Sequence, residues 1–356
     1  MNMVSDIKNV LVIFGGCSPE YGVSLQSAAA VIRNIDRNKY MPVLVGITKD
    51  GDWYYYEGDV KNIEDDTWWK DGGCERALVS PDRSRHELIV LGKDGNRYIK
   101  IDAALPILHG KNGEDGSVQG YFSTAGIPVA GCKILASALC MDKDRAHRMA
   151  GAAGIRVPRA VVIDNEKDTE VLDEFAAIVG FPLFVKPVKA GSSIGITKVY
   201  EKNELAEAVK KAFEYDDSVI VEENIEGFEV GCAVLGTDKL IVGEVDEIEL
   251  SNGFFDFTEK YTLKTSKIHV PARISRETAD MVKKTAKKIY KTLGCSGFAR
   301  VDMFLTTKGE LVFNEVNTIP GFTEHSRYPG MMRAAGIEFS EVVNMILEQA
   351  MQVIKQ

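Results

Sequence analysis

The sequence predicts a protein of mixed α/β and α+β class, with an open parallel α/β domain at the N-terminus and smaller α+β units after it. Three observations carry this expectation. The apolar run Val10–Phe14 ends in Gly15-Gly16 and gives way to helical spacing from Val23 to Ile35, the strand, tight turn and helix that open a parallel layer. Apolar runs at Pro42–Ile47 and Ala103–Leu108, and the glycine-bounded segment Gly126–Gly131, supply further strands. Beyond a helix starting near Met141 and closed by Ile155-Arg156-Val157-Pro158, the pattern changes to short strands and amphipathic helices.

In order, Phe181–Val185 reads as a strand, Ser192–Gly195 as a loop, Ile196–Tyr200 as a strand, Glu204–Tyr215 as an amphipathic helix and Val219–Val221 as a strand. A hairpin follows over 299–316, and Phe339–Ile354 is an amphipathic helix with an apolar face suited to core packing. We divide the chain into an N-terminal domain over 1–140, a central lobe over 141–223 and a C-terminal lobe over 224–356.

With 356 residues, 45% hydrophobic and 27% charged, the chain can bury more than one core and carries no disordered tract. Its net charge of -9 excludes general nucleic-acid binding, which needs clustered lysine and arginine. No run is long enough for a signal peptide or membrane span, so a cytoplasmic location without membrane insertion is expected. The six cysteines form no CxxC pair, which suits reduced, mostly buried thiols, and the five histidines form no metal motif.

The segment from Ala299 to Asn317 is the most informative. If Lys308-Gly309 is a two-residue hairpin turn, Asp302 faces Glu315 and Arg300 faces Asn317, all four on one face of the sheet. Opposed carboxylates at roughly 4.5–5.5 Å between Cβ atoms repel, and a divalent ion relieves the repulsion. Two carboxylates and an amide make an all-oxygen set suited to Mg²⁺, whereas a solvated sheet face explains the register poorly. Arg300 beside them can stabilise a developing oxyanion.

Lys186-Pro187-Val188-Lys189-Ala190-Gly191-Ser192-Ser193-Ile194-Gly195 places a lysine before a glycine and serine loop whose N–H groups can cradle phosphate. It also matches GxSxG, the nucleophile elbow of serine hydrolases, but that elbow needs a helix after it and Ile196–Tyr200 alternates as a strand. Taken alone, Lys143, Lys186 and Lys260 each read as surface residues sooner than as site residues. His109 ends a predicted strand, where open sheets present ligand-binding groups, or it is a histidine satisfied by nearby backbone.

Together these segments resemble the D-alanine:D-alanine ligase family of ATP-grasp enzymes. The likeness runs through Phe14-Gly15-Gly16-Cys17-Ser18-Pro19-Glu20, Val23-Ser24-Leu25, Leu108-His109-Gly110, Gly113-Glu114-Asp115-Gly116 and Met141-Asp142-Lys143. It continues through Lys186-Pro187, Gly191-Ser192-Ser193, Glu259-Lys260-Tyr261, Arg300-Val301-Asp302, Asn314-Glu315-Val316-Asn317-Thr318 and Pro320-Gly321. The resemblance implies that the two later units form a two-lobed ATP-grasp fold binding ATP and two Mg²⁺ ions. It further implies that Lys143, Lys186 and Lys260, with Ser193 in the phosphate loop, hold phosphates. Glu222 then meets adenine, Glu229 meets ribose, and Asp302, Glu315 and Asn317 hold the metal. Glu20, Ser192 and Tyr261 correspond to a hydrogen-bonded triad in which Glu20 receives the first D-alanine's ammonium. Arg300 and the Gly321 N–H match an oxyanion-stabilising pair, and His109 assists in removing the attacking amine's proton.

Departures refine the expectation. Gly22 replaces an acidic residue and Asn224 an aromatic often found in the family, and Arg327, after Ser326, stands where an apolar residue packs against the second D-alanine. With Phe254-Phe255-Asp256 this resembles the D-alanine:D-serine ligases of glycopeptide resistance, and Phe255 or Asp246 is the alternative reader of the serine hydroxyl. Tyr261 argues against D-lactate-specific relatives. The resemblance implies D-alanine and D-serine as substrates and a homodimer. A housekeeping D-alanine:D-alanine ligase and a non-catalytic nucleotide sensor on the same fold are the competing readings.

Overall fold

The computed structural model describes residues 7–70, 72–250 and 266–352. The N-terminal sheet is built on β1 (Lys8–Gly15), buried from Val10 to Phe14, which pairs in parallel with β2 (Tyr40–Ile47) and β7 (Ala103–Pro106). Helix α1 (Tyr21–Asn34) crosses from β1 to β2 and buries Leu25, Ala28, Val31 and Ile32, the i, i+3 and i+4 spacing of a core-facing stripe. The sheet is mixed rather than parallel throughout. Strands β3 (Trp53–Tyr56), β4 (Cys74–Val79), β5 (Glu87–Gly92) and β6 (Gly95–Lys100) extend it antiparallel from β2, giving the order β6-β5-β4-β3-β2-β1-β7. A short helix α2 (Val60–Glu64) lies between β3 and β4, and α3 (Ser117–Ala125) follows β7.

Gly126–Gly131 is not a full strand. Ala104 donates its N–H to the Pro128 carbonyl and accepts the Ala130 N–H, making one parallel bridge to Val129 beside β7, since Pro128 has no N–H to continue a ladder. The helix expected near Met141 is two helices, α4 (Ile134–Met141) and α5 (Lys143–Ala152), broken at Asp142, whose carboxylate caps α5 by accepting the Arg145 N–H at 2.9 Å.

The second sheet, in the order β10-β9-β11-β8, contains β8 (Ala160–Ile163), β9 (Leu183–Pro187), β10 (Thr197–Val199) and β11 (Val219–Glu223). Helices α6 (Thr169–Val179) and α7 (Leu205–Phe213) cover it with a core of their own. The third sheet runs β14-β13-β12-β15-β16, from β12 (Gly227–Leu235), β13 (Ile241–Leu250), β14 (Ser266–His269), β15 (Phe298–Thr306) and β16 (Leu311–Asn317), backed by α8 (Arg276–Thr292). Helices α9 (Arg327–Ala334) and α10 (Phe339–Gln352) close the described chain.

Packing crosses the divisions drawn from sequence. Residues of α4 and α5, including Ala136, Cys140, Ala146 and Ala150, share a core with the third sheet, while Phe322, Tyr328, Met331 and the buried face of α10 join the core of β1 and α1. The interlock brings the loops after β1 and β7 against the exit of β16.

Candidate active site

The hairpin β15–β16 places its side chains as expected but by another route. Arg300 pairs with Asn317 and Asp302 with Glu315, while Met303 already pairs with Phe313. The turn has three residues, Thr307–Gly309: Gly309 lies at φ 78°, its N–H bonds the Thr306 carbonyl at 2.9 Å, and Thr306 pairs with Glu310. Such a loop shifts the register by one, and a bulge at Asn314 shifts it back. The Asn314 carbonyl faces His147 Nε2 at 2.7 Å.

On this face Asp302 is buried at 1% exposure and tied to Arg300 through Nε at 2.8 Å and Nη2 at 2.7 Å, and to Asn317 Nδ2 at 2.9 Å. Burial opposes the Arg300 charge, but the adjoining Asp302 keeps its pKa above the ordinary arginine value. Arg327 lies behind, with Nε and Nη2 on the two Asp246 oxygens at 2.6 and 2.8 Å and Nη1 on Glu229 at 2.6 Å. Its Nη2 is 3.4 Å from Asp302. Burial opposes this charge as well, and Asp246, Asp302 and Glu229 override it and raise the pKa. A Cβ at Gly231 would stand 2.4 Å from Arg327 Nη2 and 2.5 Å from Asp246 Oδ1, so only glycine leaves room for the pair.

The loop after β1 delivers Glu20, which precedes α1 but makes no side-chain cap bond to it. Its buried carboxylate instead accepts the Ser192 hydroxyl, joining two of the three residues expected from the resemblance to form a triad. Gly110, at φ 72°, passes so close that a Cβ there would lie 2.4 Å from Glu20 Oε2. Glu20, Ser192, Arg300, Asn317, Gly321 and Arg327 line one cavity of about 910 Å³. Ser326 also lines it, its hydroxyl accepting the Thr323 N–H at 3.0 Å.

A second cleft lies between the second and third sheets, where Lys143, Lys186, Ser193, Glu222, Glu229 and Glu315 converge. Lys186 Nζ is 2.6 Å from Glu222 Oε2, and Lys143 Nζ donates to the Ala190 carbonyl at 2.6 Å. Burial favours a neutral Glu222, but Lys186 and His147 outweigh it and hold its pKa below the usual carboxylate value. Glu222 Oε1 is buried without a hydrogen-bond partner and faces His147 Nδ1 at 3.6 Å. The loop joining β9 to β10 connects antiparallel strands, which removes the nucleophile-elbow reading.

Three expectations change. His109 is buried with Nδ1 2.8 Å from the Ile319 carbonyl and Nε2 3.2 Å from Ser27 Oγ. The carbonyl requires hydrogen on Nδ1, so Nε2 accepts from Ser27. Burial lowers the ring's pKa, and the geometry makes His109 a holding group rather than a free base. Asp246 has no exposed surface and is spent on Arg327, so it acts only through that arginine. Glu229 borders the second cleft, but one oxygen is committed to Arg327. Phe255, Lys260 and Tyr261 lie outside the described residues. No sequence signal gave Glu114 a role, yet it lines the same cavity as Glu20 and bonds across the domains.

Models described as the N-terminus and the C-terminus of D-ala D-ala ligase match residues 9–132 and 149–348. The chain belongs to the D-alanine:D-alanine ligase family. Its fold superposes on the D-Ala:D-Ser ligase VanG from Enterococcus faecalis with a TM-score of 0.90 and 55% identity, covering 97% of this chain and 100% of that one. It is 46% identical to a putative D-alanine–D-lactate ligase of Streptomyces coelicolor over 96% of both chains. It is 42% identical to the vancomycin C-type resistance protein VanC1 of Enterococcus gallinarum, covering 97% of this chain and 98% of the relative. Among the described residues, no helix of this family member is long and apolar enough to cross a membrane.

Proposed function

We propose that this chain is an ATP-dependent ligase that joins D-alanine to a second D-amino acid, D-serine in preference to D-alanine. The observation that carries the reading is the hairpin wall: Arg300 and Asn317 face the substrate cavity while Glu315 faces the nucleotide cleft, with Asp302 between them. A phosphoryl group handed from one side to the other must pass this wall. On the sensor reading, this row of substrate-facing side chains has no purpose.

Glu20, steadied by Ser192, receives the ammonium of the first D-alanine. The carboxylate of that D-alanine then takes the γ-phosphoryl group, with the lysines of the cleft meeting the nucleotide's charge, and an acylphosphate forms as ADP leaves. The second amine attacks the acyl carbon and phosphate departs. Arg300 and the Gly321 N–H meet the oxygen that becomes negative in that attack.

Asp302, Glu315 and Asn317 own the oxygens Mg²⁺ prefers, although here Asp302 is engaged by Arg300 and by Asn317 Nδ2; Asp302, Glu315, Asp246 and Glu229 outnumber Arg300 and Arg327, leaving negative charge for a cation. Bound there, Mg²⁺ supplies charge neutralisation for phosphoryl transfer. For D-serine, the support is Arg327 at the cavity wall and the likeness to the VanG ligase. Its bonds to Asp246 and Glu229 leave one Nη1–H for a substrate hydroxyl. Use of ATP places the reaction in the cytoplasm, and the resemblance to the family leads us to expect a homodimer.

Phosphate release should be measured with D-alanine alone and then with D-serine added, the dipeptides being identified by mass spectrometry. D-alanyl-D-serine as main product supports the reading. D-alanyl-D-alanine alone moves it to the housekeeping activity, and no dipeptide refutes it.

A further inference from the structure

Glu114 carries the clearest unassigned geometry in the cavity. It follows β7 in the N-terminal domain, and its carboxylate accepts two backbone N–H groups at 2.9 Å each: Gly110 on Oε2 and Ile319 on Oε1. Gly110 belongs to its own loop, but Ile319 lies just past β16 in the C-terminal lobe. His109, five residues before Glu114, binds the Ile319 carbonyl at 2.8 Å. Both polar backbone groups of Ile319 are therefore held from the N-terminal domain. Ser27 adds a third tie by accepting the Phe322 N–H at 3.2 Å.

The segment so held is Ile319-Pro320-Gly321-Phe322. Proline fixes its own φ, so few torsions separate the clamped Ile319 peptide from the Gly321 N–H. An N–H that must meet a transient oxyanion is useful only if already aimed, because reorienting it during the reaction forfeits the gain. We propose that Glu114 is a positioning residue for ligation, aiming the Gly321 N–H by clasping Ile319 across the domain boundary. This rests on the ligase reading above.

The carboxylate is well suited to the clasp. The carboxyl group presents two acceptor oxygens at a fixed spacing, one for each N–H. Because the oxyanion arises when the second amine attacks, a loosened clasp should impair dipeptide formation more than nucleotide binding.

The test compares Glu114→Ala and Glu114→Gln with the parent by three readouts: ADP affinity, kcat against KM for ligation, and dipeptide formed per ATP consumed. Glu114→Ala should lower kcat by about 10- to 100-fold, raise futile ATP hydrolysis and leave ADP affinity within about twofold. Glu114→Gln keeps one acceptor oxygen and should recover part or all of the loss. Unchanged kcat and coupling in Glu114→Ala overturn the proposal. So does a Gln variant as impaired as Ala, because the clasp requires acceptor geometry, and so does loss of ADP affinity in both variants. If the parent itself makes no dipeptide, the ligase reading fails rather than the clasp.

Discussion

Replacing Arg327 by leucine tests how the cavity chooses its second amine, and the structure shows that two effects will be superimposed. Asp246 has no exposed surface and both its oxygens bind Arg327, at 2.6 and 2.8 Å. Leucine leaves that carboxylate buried and unpaired, and breaking such a pair by removing one partner costs about 3–5 kcal/mol. One hydrogen bond from a charged group to the serine hydroxyl contributes about 1.5–3 kcal/mol. The stability effect is the larger, so the single variant reports on folding before it reports on selectivity. Pairing Arg327→Leu with Asp246→Asn removes the stranded charge and should recover at least about half of the loss. Urea unfolding measures the stability of the two single variants and the double. Equal concentrations of D-alanine and D-serine, with both dipeptides quantified by mass spectrometry, measure selectivity. The double variant should shift the product ratio toward D-alanyl-D-alanine by about tenfold or more, since 1.4 kcal/mol is a factor of ten. A single variant as stable as the parent would refute the buried pair. A stable double variant with the parent's product ratio would remove Arg327 from substrate choice.

Further predictions follow from the same geometry. Asp302→Asn and Glu315→Gln should each abolish ligation at ordinary Mg²⁺ while the protein remains folded by circular dichroism; unchanged turnover in either rules out the metal hairpin. Gly231→Ala should destabilise the third sheet and weaken the Arg327–Asp246 pair, because its Cβ would enter at 2.4 and 2.5 Å; a melting temperature equal to the parent's contradicts this packing. Glu114 should impose a pH dependence on stability. Burial, reinforced by the nearby charge of Glu20, raises its pKa from 4.5 to about 8 despite the two backbone N–H groups it accepts. The folded state then holds a proton that the unfolded state has released, so stability falls as pH rises between those values. The fall is at most about 5 kcal/mol, and less because Glu114 borders a water-accessible cavity. Glu114→Gln should flatten it, and equal slopes from pH 5 to 8 in parent and variant would count against a buried proton. Tyr261→Phe, expected from sequence to loosen the triad with Ser192 and Glu20, should raise ATP hydrolysis relative to dipeptide, and full coupling would discount that role.

Much of the fold was legible because its strands are apolar runs and its helices amphipathic. Val10–Phe14 and Pro42–Ile47 announce two parallel strands through buried β-branched residues. Of the antiparallel ribbon β3–β6, the mostly exposed strand Gly95–Lys100 has no apolar signature, whereas the run Leu88–Leu91 in β5 does carry one. The hairpin is instructive because the correct pairing came from an incorrect turn. The bulge at Asn314 leaves two partly exposed residues in succession, Asn314 and Glu315, a break in alternation visible only once burial is known.

Sequence by itself determined which chemical groups the protein owns: the carboxylates and amide of the hairpin, the lysines and glycine-serine loop of the cleft, and Glu20 ahead of its helix. Spacing along a strand is local, so one residue's face follows from another's. What those groups do to each other was decided by tertiary structure. Arg327 looked like a donor facing a substrate, yet it is held by Asp246 and Glu229, 81 and 98 residues away in the chain. His109 looked like a base at a strand end, yet a carbonyl 210 residues on fixes its proton. Charge and hydrogen bonding act through space between side chains remote in sequence, so their outcome appears only when the three sheets are folded against one another.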